Sequence, residues 1–161
     1  MAVRALFRNS ILFLLFSSCQ PPAQIEVGDP MLTKQKGKYY YDGDLYSGLL
    51  LGYNEAGDLI NKAEITQGQR DGLFEQWWDN GQRRMVAEFR EGEYDGEVIC
   101  YYENGALYSK FHYEAGHESG LQQMWKSDGR IKANYEVIGG RKYGLTGVKN
   151  CSNVFEENGG H

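Results

Sequence analysis

Two five-residue stretches, Trp77-Trp78-Asp79-Asn80-Gly81 and Tyr101-Tyr102-Glu103-Asn104-Gly105, stand 24 residues apart. The same interval runs through most of the chain. Gly48, Gly72, Gly96, Gly120 and Gly144 are spaced by it, as are Gly57, Gly81, Gly105 and Gly129, and Gly68, Gly92, Gly116 and Gly140. An aromatic column, Tyr53, Trp77, Tyr101 and Trp125, keeps the same phase. Two further columns follow: Ala63, Ala87, Phe111 and Tyr135, and Ile65, Phe89, Tyr113 and Val137. A fixed period of this length means a repeat architecture, in which one small unit is stacked several times.

The pattern inside one unit identifies its structure. From Gly72 an aromatic-rich run leads to Asn80-Gly81, a strong hairpin signal, and the matching turn glycines are Gly57, Gly105 and Gly129. After the turn, Met85, Ala87 and Phe89 alternate with Arg84, Val86, Glu88 and Arg90. In the next unit Leu107, Phe111 and Tyr113 alternate with Tyr108, Lys110 and His112. Period two means a strand with one buried and one wetter face. A second glycine-containing turn closes each unit. The expected fold is all-β: an elongated single-layer antiparallel meander of tandem 24-residue hairpins. Nine or ten strands at about 4.8 Å give a sheet roughly 45 Å long. With no second layer, the ladder Tyr53, Trp77, Tyr101, Trp125 is expected to pack along the sheet, together with Phe89, Phe111, Tyr113 and Tyr135. Both sheet edges are expected to be partly covered, by residues 31–41 and by the tail.

The glycine-bracketed turns, the Tyr101–Gly105 type of hairpin and the 24-residue period resemble MORN-like repeats, and more closely the variant carried by bacterial YwqK-type antitoxin proteins. The resemblance covers about residues 39–148. It implies the repeat type, and its family label implies an antitoxin or immunity role. The first unit departs from the pattern, with Gly43 and Gly48 five apart where Gly68 and Gly72 are four apart; in the last, Lys149 stands at the aromatic position. Atypical end units suit a stacked array, whose ends need caps.

The first residues read as an export signal. Arg4 and Arg8 precede the apolar run Ile11 to Phe16, which is too short to span a bilayer. Ser17-Ser18-Cys19 resembles a bacterial lipobox, which implies cleavage after residue 18 and lipid attachment at Cys19. Gln20 in place of an aspartate leans the anchored protein toward the outer membrane of a bacterial cell envelope. Residues 19–36, with Pro21-Pro22 and Gly28-Asp29-Pro30, read as the lipidated cysteine and a flexible linker; residues 37–150 as the repeat domain; residues 151–161 as a polar tail. Removing residues 1–18 removes two arginines and no acids, taking the formal charge from −5 to −7. So acidic a domain is a poor ligand for nucleic acid or anionic lipid, so membrane contact is expected through the anchor only.

Chemistry is sparse. His112, His117 and His161 do not recur between units, and Glu64, Glu88 and Glu136 follow a polar face, as expected of a solvated stripe. No metal-ligand spacing and no cofactor motif is present in the sequence, and Cys100 and Cys151 could pair in an exported protein. The chain therefore reads as a non-enzymatic scaffold for an envelope protein partner. Alternation places Trp78, Tyr102 and Tyr108 opposite the packed ladder, as a candidate binding surface. Exposed rings on a flat sheet also suit stacking on sugars, so a glycan-binding module is the alternative.

Overall fold

The structure, a computed structural model, describes residues 23–146. Those residues form fourteen strands and no helix. A short strand β1 (Gln24–Glu26) opens the chain, followed by β2 (Leu32–Gln35), β3 (Lys38–Tyr41) and β4 (Asp44–Leu45). The repeats then supply β5 (Gly48–Tyr53), β6 (Leu59–Thr66), β7 (Gln69–Trp77), β8 (Arg83–Arg90), β9 (Glu93–Tyr101) and β10 (Leu107–Glu114). The two-residue β11 (His117–Glu118), β12 (Gly120–Trp125), β13 (Ile131–Ile138) and β14 (Arg141–Leu145) complete them. From β5 to β14 the strands pair in chain order as one antiparallel meander, with β11 beside β10, so the sheet is open and not a barrel. The all-β meander expected from the period is what forms.

Two kinds of turn alternate along it. At one end of the sheet, Gln67-Gly68, Glu91-Gly92 and Ala115-Gly116 are two-residue loops with positive φ at both positions, 49° and 77° in the first. Such turns match the right-handed twist of the strands they join. At the other end, only the glycine is left-handed, as at Gly81 with φ 79°. There the Gly81 amide donates to the Trp78 carbonyl, and the Trp78 amide donates to the Gln82 carbonyl. The same two bonds recur at Asn54, Tyr102 and Lys126. This is a type I turn followed by a glycine bulge, not the mirror-image turn usually associated with Asn-Gly.

The bulge adds one residue to each return strand. Trp77 pairs with Arg83, but Gln76 pairs with Met85, leaving Arg84 as the extra residue. Tyr108 is the extra residue of the next unit, between the pairs Tyr101–Leu107 and Cys100–Ser109. Simple alternation fails at these positions, and the burial pattern departs from expectation accordingly. The buried face, called inner here, carries Met85, Ala87, Phe89, Val98, Cys100, Phe111, Met124, Ala133, Tyr135 and Val137. Phe89, Phe111 and Tyr135 are therefore core residues, and Tyr113 packs against them. Tyr108 joins them at 5% exposure, so its assignment to the wetter face is corrected: the bulge turns it inward. The ladder Tyr53, Trp77, Tyr101, Trp125 is corrected in the opposite sense. It lies on the outer face, with Tyr53 42% exposed and the other three half-buried.

The N-terminal segment also differs from expectation. Residues 23–36 are not a free linker: β1 pairs in parallel with β5, with Ile25 beside Leu50, and covers that edge of the sheet. Strands β2, β3 and β4 form a separate small sheet. Its Leu32, Tyr39 and Tyr41 pack with Tyr46, Leu50, Ala63 and Ile65, so residues 31–41 cap the first repeat's inner face and β1, not they, covers the edge. The export signal, Cys19 and the tail 151–161 lie outside the described residues.

Candidate functional site

The outer face is built by the repeat itself. Tyr53, Trp77, Tyr101 and Trp125 each end the first strand of a hairpin, and the bulged turn that follows is the same in all four units. Opposite them on the return strands stand Leu59, Arg83, Leu107 and Ile131. Successive rings are two strands apart, about 9.6 Å along the sheet. The stripe beside this row is mixed: Glu75 lies between Lys62 at 3.9 Å and Arg83 at 3.2 Å, and Lys110 pairs with Glu97 at 2.6 Å. Large hydrophobic side chains continue the surface toward β14: Leu121 of β12, 54% exposed, and the exposed Tyr143 and Leu145 of β14. The result is a regular, half-apolar face that no other described element covers.

The residues expected to form the binding surface do another job. The Trp78 indole N–H donates to the Tyr101 carbonyl at 3.2 Å, and the Tyr102 hydroxyl donates to the Trp125 carbonyl at 3.0 Å. Each bond crosses from one unit to the next. The Arg84 guanidinium lies over the Trp78 ring at 4.6 Å, and Tyr108 meets Tyr102 edge-on with ring centres 5.1 Å apart. Trp78 with Arg84 and Tyr102 with Tyr108 are thus the same pair in successive units, a pre-turn ring against a bulge residue, on the inner side. They fasten neighbouring hairpins. Simple alternation misses it because a type I loop with its glycine bulge shifts the parity of everything after it by one.

The glutamate column is structural as well. Glu64 folds over Gly72, where its Oε2 accepts the Leu73 amide at 3.1 Å, and Glu88 lies over Gly96. A β-carbon at either glycine would meet the carboxylate, so Gly72 with Glu64 and Gly96 with Glu88 pack as pairs, whereas Glu136 is exposed and a β-carbon at Gly144 would meet the Asn134 backbone instead. His112 is half-buried and 3.9 Å from Glu114, and His117 is exposed on β11; His161 lies outside the described residues. Among the described residues, no three His, Cys, Asp or Glu side chains stand close enough to share a metal ion.

One polar network is compact. Glu118 accepts the Tyr135 hydroxyl at 3.0 Å and pairs with Lys142 Nζ at 2.6 Å. The hydrogen bond to Glu118 holds the Lys142 ammonium above its ordinary pKa, and burial first, then Glu118, raises the Tyr135 phenol. This network pins β14 to the hairpin of β10 and β11. Tyr113, alongside, is pushed up to about 12, mainly by burial. Cys100 is buried and disulfide-bonded, with its partner cysteine outside the described residues.

Compared with family models, curated proteins and solved structures, the chain matches none of the three.

Proposed function

We propose that the chain is a non-enzymatic, lipid-anchored repeat protein of the bacterial cell envelope, and that the outer face of its sheet binds a protein partner. The observation that carries this reading is the row Tyr53, Trp77, Tyr101, Trp125 with its aliphatic neighbours, held half-exposed at a regular interval on a rigid sheet. Large rings in line supply contact area at low entropic cost, and aromatic residues are enriched at interfaces. The charged pairs beside the row supply a polar rim. Two sequence features support the location: the lipobox-like Ser17-Ser18-Cys19 and the short apolar run before it. The disulfide at Cys100 supports an oxidising compartment.

A second reading has its own observation. Rings repeated about every 9.6 Å come close to the disaccharide repeat of an extended β-1,4-linked glycan, so the same row suits stacking on alternate sugars.

One experiment separates them. A tagged full-length chain is isolated from the envelope of its own host beside a Trp77→Ala/Trp125→Ala variant. A single protein recovered near one-to-one with the native chain, and lost with the variant, supports the scaffold. Cell-wall or surface sugar that is lost with the variant moves the reading to the glycan. Retention of the same material by both chains overturns the outer-face assignment.

A further inference from the structure

The chain carries a formal charge of −5, but the charge is uneven. Lys34, Lys36 and Lys38 fall within five residues, with no acid between them. They occupy one end of the hairpin of β2 and β3. Lys34 pairs with Tyr39, Lys38 pairs with Gln35, and Lys36 stands in the turn itself, left-handed with φ 48° before Gly37. Lys34 and Lys36 are exposed and Lys38 is half-buried. The Lys34 ammonium lies over the Tyr39 ring at 4.9 Å, and none of the three makes an ion pair among the described residues. The acids of the small sheet, Asp42 and Asp44, stand at its other end, about 10 Å along the strand. Glu91, in the neighbouring loop of the main sheet, is two strands away, about 9.6 Å. Both distances exceed the screening length of about 8 Å in physiological salt. The tip therefore presents the charge of its own lysines.

The place of this tip in the fold matters as much as its charge. Tyr46 ties three segments together at one corner of the sheet. Its backbone N–H donates to the Tyr39 carbonyl at 3.0 Å, its carbonyl accepts the Gly68 amide at 2.7 Å, and its hydroxyl lies 3.1 Å from the Ala23 carbonyl. The Tyr39 amide also donates to the Gly68 carbonyl at 2.7 Å, and the Lys38 β-carbon lies against Gly68. Ala23 is fixed on the same corner, where its carbonyl accepts the Leu49 amide at 2.7 Å. The basic tip and the first described residue thus share the end of the sheet that carries the Gln67-Gly68 loop.

We infer that this corner is a contact surface for the anionic headgroups of a lipid bilayer. The inference rests on the lipid anchor proposed at Cys19 and adds how the folded body meets the membrane. Four residues separate Cys19 from Ala23, at most about 14 Å of chain. An anchor there holds the lysine-bearing corner, and no other part of the sheet, within reach of the headgroups. Lysine suits such a surface, being a compact charge on a flexible stem that needs no fixed partner geometry. Each lysine near an anionic surface is worth about fivefold in binding. Farther along the same end of the sheet stand Glu91 and Glu93, which an anionic surface repels. The sheet therefore touches at its corner and rises from it. The row Tyr53, Trp77, Tyr101, Trp125 stands at the opposite ends of the strands, clear of the bilayer.

The test uses the full-length lipidated chain, reconstituted in vesicles of phosphatidylcholine or of phosphatidylcholine mixed with phosphatidylglycerol. Lysine acetylation, mapped by mass spectrometry, reads the contact. Lys34, Lys36 and Lys38 should react about fivefold more slowly on the mixed vesicles, and recover at high salt. The exposed Lys126, at the other end of the sheet, should react equally on both. Equal reaction of the three lysines on both vesicles, by a chain that floats with both, would overturn the lipid contact and leave the anchor standing. A chain that does not float with the neutral vesicles would remove the anchor, and the approach of this corner with it. Slower reaction in the host's own envelope but not on the mixed vesicles would assign the corner to an acidic envelope component and also overturn the contact.

Discussion

At the residue scale, the most informative positions are the pairs created by the glycine bulge. Tyr108 and Tyr53 are both aromatic, yet one is 5% and the other 42% exposed. The bulge decides it: the extra residue points inward between two neighbours that keep their own faces. Truncating Tyr108 to alanine removes a buried ring packed on Tyr102 and should cost about 3 kcal/mol, in the range of large aromatic truncations. The same change at Tyr53 should cost under about 0.5 kcal/mol, as for surface positions. Urea unfolding of the two variants measures both, and equal losses would mean that the face assignment is wrong.

At the element scale, the hairpin is the unit, and its two turns carry different demands. The two-residue loops need left-handed backbone at both positions, and the first position is filled by Gln67, Glu91 and Ala115 with φ between 46° and 51°. A side chain other than Gly, Asn or Asp pays roughly 1–2 kcal/mol there. Ala115 has no side-chain polar group to offset that strain, and the hydrogen bond its backbone N–H donates to Asp95 Oδ1 does not involve its own side chain and so survives substitution. Ala115→Asn should therefore stabilise the chain by about 1 kcal/mol, read as a higher denaturant midpoint at unchanged slope. A lower midpoint would show that the loop is not under this strain. The bulged turns are instead tied to the next unit. Asn80 donates to the Glu103 carbonyl at 2.8 Å and Trp78 to the Tyr101 carbonyl across the same gap, and Tyr102 donates to the Trp125 carbonyl across the next. Stability at this end thus passes from hairpin to hairpin, the nearest-neighbour coupling that repeat proteins depend on.

At the scale of the whole molecule, the inner face concentrates phenols in apolar surroundings. Burial is the leading cause that raises Tyr46, Tyr94, Tyr113 and Tyr135, with Tyr113 pushed up to about 12. In the unfolded chain these phenols ionise near 10. Between the two values the folded state holds more protons than the unfolded state, so stability falls as pH rises. Lys142 acts in the same direction: its ammonium is favoured by Glu118 in the fold, and that contribution is lost as pH passes its raised pKa. The chain should keep its full phenol contribution below pH 10 and lose it progressively toward pH 12. Tyr113→Phe should flatten that alkaline limb. Phenolate absorbance followed beside circular dichroism tests this, and a variant limb as steep as the native one would remove Tyr113 as a contributor.

The local and periodic part of the structure can be read from the residues alone. The 24-residue interval, the glycines at the turns and the period-two runs are local signals, and each unit repeats them, so errors at one position are corrected by the next. Hairpin, strand and open meander were all legible. The outer aromatic row was legible as a row, through Tyr53, Trp77, Tyr101 and Trp125, but not as the exposed one. Tertiary structure decided the faces, because a bulge of one residue reverses parity and nothing in Asn80-Gly81 announces which turn will form. It also decided the fate of residues 23–36, which carry the composition of a linker. Strand β1 exists because Ile25 finds Leu50 across the open edge of β5, and β2 to β4 exist because Leu32, Tyr39 and Tyr41 find the uncovered end of the inner face. Those contacts join segments distant in sequence, and a pairing that depends on a partner elsewhere in the chain leaves no period of its own to read.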